Sequence, residues 1–264
     1  MYPVICSTPH CAANFPTRYI SIMQDCVMGH PVSINDRTLY DLRYFYVDQQ
    51  NIGSFTCGIA FETMISLLRI HDATQFRDDS WYLAVSQCSN PLVRGFLAEQ
   101  ICLSSIATTG LKAVDPKLGR MSHAFFETQP EFTRFLSTKH ETRVYFPIAY
   151  NFRAVDAVIL LLDRSSKQAT IFPIQFTLTP KHKPSDKDFH TTLWSEWIEP
   201  ITSAGYTVQS TFVWIDKKQP SEHVEPKLVK SLRSGDKIVH PSYSVIHVGV
   251  EMVDQRLASV LGIK

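Results

Sequence analysis

Asp156 and the pair Gln175 and Thr177 interrupt an otherwise apolar stretch, Phe152 to Lys183, FRAVDAVILLLDRSSKQATIFPIQFTLTPKHK. Their oxygens are the kind that suit a hard cation. Magnesium typically takes one or two carboxylates and fills its other positions with water and substrate phosphate. Such an ion orients a water and stabilises charge during phosphodiester cleavage. A further carboxylate, Glu99, lies in NPLVRGFLAEQICLSSIATTG. The candidate metal ligands are therefore Glu99, Asp156 and Gln175. Asp156, Gln175, Thr177 and the nearby cation Lys181 form the candidate catalytic group.

The elements that must position these residues follow from hydrophobic periodicity. Phe152 to Lys183 reads as two adjacent strands joined by a polar turn at Arg164 to Lys167. Alternation sends Phe172, Ile174, Phe176 and Leu178 to one face, expected to be core. Ile171, Pro173, Gln175, Thr177 and Thr179 go to the other, where chemistry is expected. Val155 to Leu162 is apolar on both parities, as in a strand covered on both faces. Upstream, Asn90 is a helix cap, Pro91 suits the first turn and Gly110 suits the stop. Leu92, Phe96, Leu103 and Ile106 make one apolar stripe with Glu99 in its middle. A carboxylate is rarely placed there unless it is paired, hydrogen-bonded or bound to a metal.

Around this core the spacing predicts further elements. They are a strand over Leu42 to Val47 with a turn at Asn51 to Gly53, a helix over Gly58 to Ile70, a short helix at Pro130 to Leu136, and a strand over Thr142 to Tyr150. Ser185 reads as the cap of a helix with Phe189, Leu193, Trp197 and Ile201 every four residues, which Pro200 should kink or shorten. Strands at Thr207 to Ile215 and Ser242 to Val250 follow, then a closing helix at Val253 to Leu261. Lys217 to Lys237 reads as an exposed loop or poor helix. The order is helix, three strands, helix, strand, giving a lead-in segment at residues 1–88 and an α/β core at 89–264.

Composition narrows the classes of partner. A formal charge of +1 over 264 residues gives no global basic field, so nucleic acid would have to be gripped by local lysines at Lys181 to Lys187 and Lys217 to Lys237. Among the six cysteines, Cys6 and Cys11 with His10 come nearest to a metal cluster, but no second pair stands at the needed distance. Reduced thiols in an intracellular protein are the expectation. No run of about 18 apolar residues and no signal segment points to a membrane.

The element order and the pattern from Asp156 to Gln175-x-Thr177 resemble the PD-(D/E)XK nucleases, in the divergent branch at the C-termini of Crinkler and RHS-type proteins. The likeness covers roughly Ser89 to Ile215. It implies a restriction-endonuclease-like αβββαβ core with a mixed sheet and helices on both faces. It also implies a magnesium- or manganese-dependent DNase, with RNA as a second substrate class. The site would be Glu99, Asp156, Gln175 and Thr177, with Lys181, His182 and Lys183 as the basic segment. Location would be intracellular and nuclear, including after secretion into a host. The usual NTPase segment has no G-x-x-x-x-G-K-[ST] counterpart here, so such a segment or a second copy of the chain is the expected partner.

The departures from that pattern concern charge. Gln175 stands where the nuclease pattern has an acid, and Thr177 where it has a lysine. Gln still offers a carbonyl oxygen but brings no charge, and Thr cannot steady an attacking hydroxide. On a straight strand Lys181 would lie roughly 13 Å beyond Thr177, so only a turn at Pro180 would return it. The alternative is a non-catalytic interaction module in which Gln175 and Thr177 form a buried structural pair and Asp156 bonds a neighbouring backbone amide. An acid pair of Glu99 and Asp156 for glycoside hydrolysis is a third reading, without sugar-binding aromatics beside it.

Overall fold

Continuous apolar strands need cover on both faces, and here they receive it. A computed structural model of the chain describes residues 45–47, 53–55, 68–70, 72–88, 91–149, 152–179, 184–217, 226–234 and 237–263. The chain divides into two compact units, Met1–Gln75 and Phe76–Lys264. In the first, β1 (Phe45–Val47) and β2 (Gly53–Phe55) form an antiparallel hairpin around the predicted turn. The larger unit begins ahead of residue 89 and takes in helix α1 (Asp79–Gln87).

The larger unit continues with α2 (Pro91–Thr109), β3 (Ser122–Phe126), α3 (Phe132–Leu136), β4 (Thr142–Pro147), β5 (Ala157–Asp163) and β6 (Gln168–Phe176). A helical run follows, made of α4 (Ser185–Asp188), a π turn (Phe189–Leu193) and α5 (Trp194–Ser203). Then come β7 (Thr207–Asp216), β8 (Lys227–Val229), β9 (Leu232–Ser234), β10 (Lys237–His240), β11 (Tyr243–Gly249), α6 (Val250–Val253) and α7 (Gln255–Leu261). Seven strands make one mixed sheet in the order β3-β4-β5-β6-β7-β11-β8. Strands β4, β5 and β6 are antiparallel neighbours, whereas β6, β7 and β11 run parallel. No helix among the described residues is long and apolar enough to cross a membrane.

Several expectations need correction. β3 has a half-exposed pattern with His123 and Ala124 at its centre, too short and mixed to register as a strand. The Lys217 to Lys237 region holds β8, β9 and the start of β10 rather than a plain loop or helix, because pairing of β8 with β11 and of β9 with β10 organises polar residues that periodicity cannot place. Ser185 is the first helical residue, behind an N-cap at Pro184 that makes no side-chain bond. The helix does not stop at Pro200 but runs on to Ser203. Its irregularity is the upstream π turn, whose extra residue rotates the face by about 100° and so buries Trp194 beside Trp197.

The face expected to carry chemistry is largely core. Ile171 is fully buried on it together with Val158, Leu160, Phe212 and Val245, all covered by Phe189, Trp194, Trp197 and Ile201. The opposite face is buried as well, through Ile159, Phe172, Ile174, Val213, Ile215 and Val248. A right-handed crossover places its helix on the sheet, so alternation within β6 separates two cores rather than core from solvent. Helix α2 is buried from Phe96 to Ala107 on all sides apart from Glu99, ending as expected at Gly110, where φ is +85° and a Cβ would strike the Leu118 and Gly119 backbone.

The π turn also seats a histidine. His190 Nδ1 lies 2.6 Å from the Asp186 carbonyl, which can only accept, so Nδ1 carries the proton and Nε2 accepts from the Ser210 hydroxyl at 2.8 Å. Tyr243 stacks on the ring at 3.6 Å and donates its hydroxyl to Asp186 Oδ2. Burial lowers the His190 pKa to about 4 against opposing help from Asp186. A folded-state pKa below the unfolded one, about 6.5, means that the unfolded chain binds the proton first as pH falls. The contribution is complete above pH 6.5 and is lost as pH falls toward 4, about 3 kcal/mol in all. Urea unfolding between pH 7 and pH 4 should show that loss, and His190→Gln should remove much of the slope.

Candidate functional site

β5 begins one residue after Asp156, and the carboxylate continues the ladder where the strand stops. Ala157 pairs with Ile174, and the Asp156 N–H donates to the Ile174 carbonyl at 2.8 Å. The next amide of β6 has no strand partner on that side. The Phe176 N–H donates to Asp156 Oδ2 at 2.7 Å, and Gln175 Nε2 donates to the same oxygen at 2.6 Å. Asp156 is 8 % exposed, so these bonds hold a buried charge.

The expected constellation is thus assembled in part. Asp156 and Gln175 touch. Thr177 does not join them: its N–H donates to the Ile215 carbonyl, and its hydroxyl pairs with that of Thr179 at 2.9 Å. Threonines two apart beyond a strand end bond each other more readily than a carboxylate one strand away. Glu99 is half-buried on α2, its Oε1 accepting from Gln100 Nε2 at 3.1 Å. Burial chiefly raises the pKa of the Cys102 thiol, and the fields of Asp254, Glu99 and Asp156 add to the rise in that order. Cys102 is a free thiol.

Other calls fall where nothing is described. Lys181, His182 and Lys183, and Cys6, His10, Cys11, Cys26 and Cys57, lie outside the described residues, as do Ser89 and Asn90. Trp194 and Trp197 are core anchors, with Trp197 against Phe126 and Phe189. Among the described residues no three His, Cys, Asp or Glu side chains stand close enough together to hold a metal ion.

Sequence reasoning missed the neighbours across the sheet. Register places Gln175 beside Trp214 and Trp214 beside His247, so Asp156, Gln175, Trp214 and His247 form one row on one face. Two residues further along β7, on the same face, stands Asp216. Its Oδ2 is 2.8 Å from His247 Nδ1, with side-chain exposures of 3 % and 40 % respectively. Asp216 closes the strand TVQSTFVWID as a lone acid after an apolar run, and that is the signal that could have found it. His247 carried none, since only parallel pairing of β7 with β11 brings it there. No family model matches the chain, and neither a curated protein nor a solved structure does.

Proposed function

We propose that the larger unit is a nuclease-like domain of the PD-(D/E)XK type that hydrolyses phosphodiesters in DNA, with RNA as the second substrate class. The observation that carries the reading is the contact of Asp156 with Gln175 at the end of an antiparallel strand pair. That pair is preceded by α2 and followed by a helical crossover to a parallel strand. This order, α2, then β4, β5 and β6, then α4–α5, then β7, supports a restriction-endonuclease-like core. By the same likeness the domain would be the effector end of a Crinkler-type protein acting in a nucleus.

The donor set fits a magnesium or manganese ion that keeps most of its water. The oxygens are hard ones, from the Asp156 carboxylate and the Gln175 carbonyl, with Glu99 on α2 as a further carboxylate, and among the described residues no group of three His, Cys, Asp or Glu side chains offers an alternative site. When bound there, the ion would polarise a phosphate oxygen and lower the pKa of a coordinated water. The chain itself contributes the fixed Asp156 carboxylate and a Gln175 amide whose oxygen and nitrogen exchange places on a half-turn.

A second reading is a non-catalytic interaction module that keeps the fold. The Gln175 amide favours it, because it satisfies Asp156 with a donor and brings no second charge for a cation. Incubating supercoiled plasmid with the protein in magnesium or manganese decides between them, with a chelator and Asp156→Ala as controls. Nicking lost in both controls is the expected result. Retained DNA binding with no nicking in either metal would establish the interaction module instead.

A further inference from the structure

We propose that His247, held by Asp216, is the proton-transfer residue of this site: it takes the proton from the water that attacks the phosphodiester. The inference rests on the nuclease reading and assigns the base that Thr177 cannot supply.

Three parallel strands, β6, β7 and β11, end together, and ligands of α/β sheets gather at the carboxyl ends of such strands. The ends carry Gln175 and Thr177, Trp214 and Asp216, and His247 and Gly249 on one face. Asp216 is a buried carboxylate that accepts from His247 Nδ1–H, which fixes the tautomer and leaves the lone pair on Nε2. The imidazole lies nearly parallel to the Trp214 indole, 13° off with centroids 6.5 Å apart, which limits how far it can swing. Its 40 % exposure gives it access to water and substrate. Gln175 and His247 are two strand spacings apart, about 10 Å between Cα atoms, a gap that two side chains and one phosphate span.

Charged groups stand around this end of the sheet. Asp216 comes from β7. From α6 comes Glu251, whose carboxylate fills the space over Gly249 where a Cβ would stand, its Oε2 buried and without a hydrogen-bond partner among the described residues. Lys227 of β8 is exposed opposite Val245, two residues short of His247. Asp186 of α4 engages Tyr243 at the far end of the strand.

In the step itself a water O–H bond breaks, its proton passes to His247 Nε2, and the oxygen forms a new bond to phosphorus. The bond from phosphorus to the leaving sugar oxygen breaks. That oxygen takes a proton from a second water, whose hydroxide recovers the proton from the imidazolium, so no other reactant is consumed.

The test combines plasmid nicking in magnesium across pH with an NMR titration of the His247 ring in the same buffer. The nicking rate should rise along the curve on which the ring deprotonates. His247→Gln should slow nicking by about 100-fold or more and erase that rise. Asp216→Asn, which keeps a hydrogen-bond acceptor but not the charge, should also slow nicking. Should His247→Gln fail to fold, the coincidence of the two wild-type curves and the slower nicking by Asp216→Asn still decide. Nicking by a folded His247→Gln at the wild-type rate and profile, with Asp156→Ala inactive, would overturn the role of His247 and leave the nuclease reading standing. A folded wild-type protein that nicks nothing overturns both.

Discussion

Asp156→Ala should abolish metal-dependent nicking and also lower the unfolding free energy by about 2–4 kcal/mol, whereas Asp156→Asn should lose the first and keep most of the second. The two effects separate because one oxygen does structural work and the charge does chemical work. Oδ2 accepts from a buried backbone amide, that of Phe176, and from the Gln175 side chain. Alanine leaves the Phe176 N–H without a partner, a loss of about 1–3 kcal/mol, together with charge-assisted bonds of about 1.5–3 kcal/mol. Gln175 is half-buried and can turn to water, which limits the total. Asparagine retains one carbonyl oxygen for Phe176, so its stability loss should stay near 1 kcal/mol, yet it cannot supply a carboxylate to a cation. Urea unfolding and plasmid nicking on the same three proteins check both halves. Full nicking by Asp156→Asn would remove Asp156 from the site. An Asp156→Ala protein as stable as wild type would mean that the ladder extension contributes nothing.

The strands were legible where burial was two-sided. Val155 to Leu162 and Ile171 to Phe176 are apolar runs whose neighbours turn out to be each other, through a turn in which Asp163 Oδ1 accepts from the Ser165 and Ser166 amides. The Asp156–Gln175 contact follows from that hairpin, since a two-strand register is a local property. What could not be read is whatever depends on parallel pairing. The row that joins Gln175 to Trp214 and His247 is set by a helical crossover and by β11, more than 70 positions downstream, and no periodicity encodes such a register. Alternation also did not show that the odd face of β6 is core at Ile171, because it reports which side chains lie together and not what covers them. The partner of Thr177 is local in another sense: its hydroxyl accepts from the Thr179 N–H and pairs with the Thr179 hydroxyl two residues on, a bond that strand alternation does not register.

The largest loss of stability expected from one polar substitution is at Asp254, where Asp254→Ala should cost about 3–5 kcal/mol. This carboxylate joins three helices. Its Oδ1 caps α7 by accepting from the Leu257 N–H at 2.8 Å, and its Oδ2 accepts from the Tyr82 hydroxyl of α1 at 2.7 Å and from the Ser105 hydroxyl of α2. A cap contributes about 1 kcal/mol and each hydroxyl bond to a charged group about 1.5–3 kcal/mol. Asp254 is also 7 % exposed, so little water can replace the lost partners. Tyr82→Phe removes a single donor and should cost about 1–2 kcal/mol. Asp254→Asn, with one acceptor oxygen left to share, should fall between. The consequence extends to the candidate site, because Ser105 lies on the helix that carries Glu99, less than two turns away. Loosening that helix should slow nicking in Asp254→Ala, whereas Tyr82→Phe, which leaves the Ser105 bond in place, should nick normally. Asp254→Asn as stable as wild type in urea would show that the cap alone matters. Normal nicking by a destabilised Asp254→Ala would show that Glu99 is positioned without help from this carboxylate.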